Sequence, residues 1–135
     1  VLAGAWARHA DALTAIAPGV RLLLLDPPIA IRWNDDDSAS RDGTVSIVRA
    51  AGDALPLAAG AARAVALDAA TATAARLDAA VRVLAGGGRI VAPAAVTVPA
   101  GVRELARDAE VWVAEREAAV ARESGPVPLR RTRRS

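Results

Sequence analysis

Two aspartates stand directly after apolar, strand-like stretches of the sequence. Asp26 ends "VRLLLLD" (20–26), and Asp68 ends "AVALD" (64–68). The carboxyl ends of parallel strands meet at one edge of an open α/β sheet, and ligands bind at that edge. A carboxylate there can accept hydrogen bonds from both hydroxyls of a ribose. Each aspartate also has a structural alternative, since Asp26 can start a turn with Pro27 and Asp68 can cap the following helix.

Other polar residues are weaker candidates for chemistry. In "NDDDS" (34–38), Asp35 and Asp37 supply oxygens but lack the glycine and distal glutamate of a calcium loop, so we predict a solvated loop and no metal site. His9 is the single histidine and stands beside Arg8 in a predicted helix, which indicates a surface or boundary residue without a catalytic role. The chain has no cysteine, which excludes thiolate chemistry and cysteine-based zinc sites.

The length is that of one domain, and the net charge is close to zero. The chain has 135 residues and a net charge of +2, and all 17 basic residues are arginines. This balance gives no electrostatic argument for nucleic acid or membrane as a partner. No apolar run approaches the roughly 18 residues of a membrane span, and no signal-peptide pattern is visible, so we expect a cytoplasmic protein. We predict a domain over 1–129 and a basic tail over 130–135, where no aromatic residues are interleaved.

The elements that position the two aspartates follow from the hydrophobic pattern. Helical spacing predicts a first helix over 2–17 and a second over about 70–85. Between and after them, apolar stretches of strand length predict strands at 20–26, 44–49, 64–68 and 89–93. Gly86, Gly87 and Gly88 then form the turn from the second helix into the last of these strands. The expected fold is a Rossmann-like, mostly parallel sheet with helices on both faces.

The C-terminal part predicts an antiparallel addition to that sheet. "AGVRELARD" (100–108) favours a short helix, whereas "EVWVAER" (110–116) and "PVPLRRT" (126–132) can pair as a hairpin. A helix over 110–122 is the alternative, because alanine and glutamate favour it.

Three motifs in order carry a family resemblance. "ALPL" (54–57), the turn "GAARAV" (60–65) and "RVLAGGGRIV" (82–91) resemble the back half of a class I S-adenosylmethionine-dependent methyltransferase. The glycine-rich turn that follows the first strand of that family is not matched, so we expect an N-terminally truncated chain whose first strand is missing. Two acidic positions of the family fall on Ala51 and Arg63, which makes the cofactor motifs degenerate.

The resemblance implies a cofactor and a set of residues that contact it. S-adenosylmethionine would place its ribose on Asp26, with the adenine amine on Asp53 and the adenine ring beside Ala54 and Leu55. Asp68 would face the methionine part or the substrate. The sulfonium of this cofactor already activates the methyl group, so no acid–base pair is required, and the sequence identifies neither catalytic residues nor the methyl acceptor.

Two other functional classes stay open. A non-catalytic methyltransferase-like module would keep the sheet and act through protein contacts, either with a partner or as a homo-oligomer. Ala51, Arg63 and the unmatched glycine turn favour that hypothesis. A nicotinamide-dependent reductase is a third hypothesis, but it needs a glycine fingerprint that this sequence lacks.

Overall fold

One mixed sheet organises the molecule. The computed structural model describes residues 1–28 and 45–119, and in this part of the chain seven strands belong to the sheet. The elements are β1 (Leu2–Ala3), a 3-10 helix (Gly4–His9), α1 (Ala10–Ile16), β2 (Leu22–Leu25), β3 (Val45–Val48), β4 (Ala62–Ala66), α2 (Ala74–Val83), β5 (Leu84–Pro93), β6 (Val102–Arg107) and β7 (Val111–Arg116). Within these residues, no helix is both long enough and apolar enough to cross a membrane.

The strand order creates a switch point in the middle of the sheet. The order is β3-β2-β1-β4-β5-β7-β6. The first five strands in this order run parallel to one another, and β7 is antiparallel to both β5 and β6. From β1 the chain continues to β2 on one side, and β4 lies on the other side, so the order reverses at β1. Open sheets bind ligands beside such a reversal. The predicted mostly parallel sheet with an antiparallel C-terminal pair is confirmed.

Two apolar clusters cover the two faces of the sheet. Leu24 belongs to a cluster with Ala7 and Ala10 under the first helical segment, whereas its neighbour Leu25 belongs to a cluster with Leu77 of α2. Successive side chains of a strand point to opposite faces, which explains why adjacent leucines enter different clusters. Helices therefore pack on both faces, as the sequence predicts, and the apolar run of β2 is buried from both sides.

The N-terminal segment corrects the sequence prediction. Leu2 and Ala3 form a strand between β2 and β4, with Leu2 in register with both Leu24 and Ala66, rather than the start of a helix. The first strand is therefore present as two residues, where the sequence predicted that it is missing. Helical spacing is a local signal, and here two flanking strands supply backbone partners that override it. The helical segment begins two residues later than predicted, at Gly4.

The glycines are structural, but their role differs from a helix cap. α2 ends at Val83, and the next residue, Leu84, is already extended and begins β5. The register between β4 and β5 shifts over the glycines, and Gly87 has a φ of +75°. A Cβ at Gly88 would lie 2.8 Å from the carbonyl oxygen of Ala85, so a larger residue does not fit there. The glycines thus form an irregularity inside β5 rather than a turn before it.

The C-terminal hairpin pairs different segments than predicted. β6 occupies Val102–Arg107, where the sequence predicted a short helix, and it pairs with β7. The helical alternative for 110–122 is wrong over Val111–Arg116, because β7 has strand partners on both sides. Asp108 joins the two strands, since its Oδ1 accepts the N–H groups of Glu110 (2.7 Å) and Val111 (2.8 Å). The predicted partner at 126–132 lies outside the described residues, as does the basic tail.

Candidate functional site

The carboxyl ends of β1 to β4 bring the predicted residues to one edge of the sheet. Gly4 follows β1, Asp26 follows β2, Asp53 lies in the loop after β3, and Asp68 follows β4 two residues later. This is the edge at which an open α/β sheet binds its ligand, next to the strand-order reversal at β1. The described structure places these residues in two hydrogen-bonded groups, one around Asp26 and one around Asp68.

Asp26 is held in an unusual backbone conformation by the loop after β3. Its φ is +47°, in the left-handed region that non-glycine residues seldom adopt. Its N–H donates to the carbonyl of Val48 (2.9 Å), and its Oδ1 accepts the N–H of Ala50 (2.9 Å). The second oxygen, Oδ2, accepts from Nη1 of Arg76 at 3.1 Å. The side chain is still 28% exposed, so both oxygens keep lone pairs that a ligand can use.

Arg76 joins the loops after β2 and β3. It lies in the first turn of α2, and its side chain is only 7% exposed. Besides the ion pair with Asp26, its Nη2 donates to the carbonyl of Gly52, and its Nε lies 4.0 Å from Oδ1 of Asp53. Sequence reasoning missed this residue. The sequence does contain a pattern that points to it. Position 76 lies on the same helical stripe as Ala80 and Val83, and an arginine on an apolar stripe needs a buried partner.

The predicted adenine-contacting residues divide between surface and core. The Asp53 carboxylate is 46% exposed, and its Oδ1 accepts the hydroxyl of Thr73 at 2.6 Å. Thr73 also caps α2 by accepting the N–H of Arg76 (3.1 Å), so the Asp53 loop is attached to the start of that helix. Ala54 is exposed beside it, whereas Leu55 is 3% exposed and belongs to the core under α2.

Asp68 stabilises the turn after β1 through hydrogen bonds. Among the described residues, no hydrogen bond joins it to Asp26. Its carboxylate accepts the N–H of Ala5 (2.7 Å), the hydroxyl of Thr71 (2.6 Å) and the N–H of Thr71 (2.9 Å). Burial alone would raise the pKa of Asp68, but the hydrogen bonds from Ala5 and Thr71 outweigh it, so the pKa lies below its ordinary value. The cap of α2 is Thr73, so Asp68 closes the preceding turn instead of capping the helix.

Gly4 forms the turn after β1, although its sequence context predicts a position inside a helix. Its φ is +59°, and a Cβ at this position would overlap the carboxylate of Asp68. The close approach and the left-handed backbone both require glycine. Next to it, the indole N–H of Trp6 donates to the carbonyl of Leu67 at 3.1 Å and ties the same turn to the end of β4. The single Gly4 thus occupies the place of the glycine-rich turn that the resemblance leads one to expect.

The remaining polar candidates do not reach this edge. His9 accepts a hydrogen bond from Nε of Arg8 (3.1 Å) and lies with its ring 5.5 Å from that of Trp6, in keeping with a boundary residue. In residues 1–28 and 45–119, no three histidine, aspartate or glutamate side chains come together as ligands for a metal ion. Asp35 and Asp37 lie outside the described residues.

Similarity to known proteins is found at the level of structure. No family model matches the sequence, and no curated protein matches it. The antibiotic-resistance methyltransferase Kmr superposes with a TM-score of 0.62 at 18% identity, over 87% of this chain and 86% of that chain. The protein yhhF from Escherichia coli, described as a methyltransferase, gives 0.57 at 16% identity, over 87% and 76%. The complex of the Haloferax volcanii Trm112 methyltransferase activator with a methyltransferase gives 0.50 at 19% identity, over 67% and 42%. The chain therefore has the fold of the class I methyltransferases.

Proposed function

We propose that this chain binds S-adenosylmethionine at the carboxyl edge of the sheet and supports methyl transfer to an acceptor. The observation that carries the proposal is Asp26, a partly exposed carboxylate at the end of β2 with both oxygens already oriented by Ala50 and Arg76. In a fold shared with methyltransferases, an oriented carboxylate in this place suits the two hydroxyls of a ribose.

The described residues fit the adenosine part of such a ligand better than its methionine part. Asp26 and Asp53 present two acceptors at one edge, joined through Arg76, which matches a diol and an exocyclic amine. At the turn after β1, the N–H of Ala5 is already used by Asp68 and is not free for a ligand. When bound, the cofactor would supply the activated methyl group, and this chain would contribute orientation and exclusion of water.

Calorimetric titration with S-adenosylhomocysteine tests the proposal, with Asp26→Asn as the variant. Hydrogen bonds to a charged group contribute about 1.5–3 kcal/mol, so we expect the affinity to fall by about 10- to 150-fold. Asp108→Asn is the matched control, since Asp108 also accepts two backbone N–H groups but lies in the β6–β7 turn. A wild-type protein that binds neither S-adenosylhomocysteine nor S-adenosylmethionine would disprove the proposal.

The second candidate is a methyltransferase-like module that acts through protein contacts. The specific observation in its favour is the Asp68 carboxylate, which engages the turn after β1 and makes it part of a closed hydrogen-bond network. One of the similar structures is a methyltransferase held by an activator protein, so a partner is also compatible with this fold. The same titration separates the two functions, because a non-catalytic module has no need to bind either ligand.

A further inference from the structure

Arg76 lies behind the two carboxylates of the proposed site rather than in front of them. Its side chain is 7% exposed, compared with 28% for Asp26 and 46% for Asp53. The guanidinium therefore approaches from the interior of the molecule, and the outer sides of both carboxylates face solvent. An arginine in this position leaves the ligand-facing lone pairs free, while its hydrogen bond to Oδ2 restricts how the Asp26 carboxylate can turn.

The contacts of Arg76 connect two loops that are far apart in sequence. Nη1 holds Asp26 after β2, and Nη2 holds the carbonyl of Gly52 after β3. The guanidinium is planar, and its donors have a fixed spacing, so the distance between these two partners is set by one rigid group. The backbone of Arg76 is itself fixed, because its N–H donates to Thr73, which in turn donates to Asp53.

We propose that Arg76 is a positioning residue that holds Asp26 and the 50–53 loop as one adenosine-binding surface. This inference rests on the proposed function and adds a residue that selects the ligand class, a nucleoside with an intact ribose diol. Lysine cannot replace it, since an ammonium group is a compact charge without the planar fork that reaches two loops at fixed geometry. Without the fork, only the N–H of Ala50 among the described residues holds the Asp26 carboxylate, at Oδ1, and the orientation of the whole group is less restricted.

A double-mutant cycle with Arg76→Lys and Asp26→Asn tests whether Arg76 acts through Asp26. Binding of S-adenosylhomocysteine is measured by calorimetry for the wild type, both single variants and the double variant. We expect Arg76→Lys to weaken binding tenfold or more and to have no further effect once Asp26 is Asn. Arg107→Lys is the matched control, since Arg107 also joins one carboxylate, Glu104, and one carbonyl, Ala94, in the C-terminal hairpin.

A second measurement depends on the orientation of the Asp26 carboxylate and not on the stability of the fold. The ratio of affinities for adenosine and 2′-deoxyadenosine reports the contact with the ribose diol. We expect the wild type and Arg107→Lys to prefer adenosine, and Arg76→Lys to lose this preference. If Arg76→Lys does not fold, Arg76→Gln is combined with Asp26→Asn, which removes both charges of the pair. That double variant is expected to bind as Asp26→Asn does.

The outcomes separate this inference from the proposed function. Binding by the wild type with additive effects of the two substitutions, or with an unchanged nucleoside preference in Arg76→Lys, would overturn the role of Arg76 alone. Absence of any binding by the wild type would overturn the proposed function and, with it, the ligand assigned to Arg76. Non-additive effects together with loss of the diol preference would establish the positioning role.

Discussion

At the scale of single residues, Asp68 carries the densest set of hydrogen bonds at the carboxyl edge of the sheet. Ala5 and Thr71 donate to its carboxylate, and these donors hold the pKa of Asp68 below its ordinary value despite burial. A carboxyl with a lowered pKa in the folded state stabilises the protein when it is ionised. This contribution is present above the ordinary value of 3.8 and is lost as the pH falls through the lower folded value.

Replacing Asp68 with alanine is expected to lower the free energy of unfolding at pH 7 by about 1–3 kcal/mol, because the N–H of Ala5 loses its acceptor. The difference from the wild type should shrink as the pH is lowered below 3.8. Urea denaturation at a series of pH values measures both effects. Asp78→Ala, at an exposed position of α2, is the control with little expected change. A loss that is independent of pH would contradict the assigned role of the ionised carboxylate.

At the scale of elements, the turn after β1 depends on one glycine that lies directly against the Asp68 carboxylate. Gly4 connects the two-residue β1 to the 3-10 helix, with φ at +59° and no room for a Cβ beside Asp68. Gly19, after α1, also has a positive φ, +88°, but nothing lies within 4 Å of the position of its Cβ. Substitution at Gly19 therefore measures backbone strain alone, whereas substitution at Gly4 measures backbone strain together with steric overlap.

We expect Gly19→Ala to cost about 1–2 kcal/mol, the strain of a left-handed backbone. Gly4→Ala should lower the free energy of unfolding by about 1–3 kcal/mol more than Gly19→Ala does. The reason is that the Asp68 carboxylate must give up hydrogen bonds to make room for the new Cβ. Urea denaturation of the two variants side by side measures the difference. Equal losses for both variants would show that Asp68 moves without cost, against the close packing at Gly4.

At the scale of the whole molecule, Trp112 joins the C-terminal hairpin to the parallel part of the sheet. It lies on β7, is 0% exposed, and donates its indole N–H to the carbonyl of Val96 at 2.7 Å. The cluster to which it belongs also contains Leu25 of β2 and Leu77 of α2. One continuous core therefore extends from β2 to the hairpin, and the two parts of the sheet should unfold together.

Trp112→Ala is expected to lower the free energy of unfolding by about 3–5 kcal/mol, the range for removing a large buried aromatic side chain. Trp112→Phe should cost less, since it keeps part of the packing but leaves the Val96 carbonyl without its donor. Amide exchange followed in both β2 and β7 tests the cooperativity. Faster exchange in β7 with unchanged protection in β2 would mean that the hairpin unfolds as a separate unit.

The parts of this protein that the sequence determined are those set by neighbouring residues. The apolar runs before Asp26 and Asp68 predict buried strands, and the parallel sheet then requires both aspartates to lie at its carboxyl edge. The glycines at 86–88 are likewise a local signal for an irregular backbone, although the sequence predicted them before the strand and the structure has them inside β5. For the two buried strands and the edge at which they end, the apolar runs along the chain were sufficient.

Only the tertiary structure decided the features that depend on distant partners. Leu2 and Ala3 are extended because β2 and β4 lie on either side of them, and β6 is a strand because β7 pairs with it. Arg76 meets Asp26 across 50 residues of sequence, which no local pattern predicts. A buried charge needs a partner wherever the fold provides one, so the pairing that organises the proposed site followed from the three-dimensional packing alone.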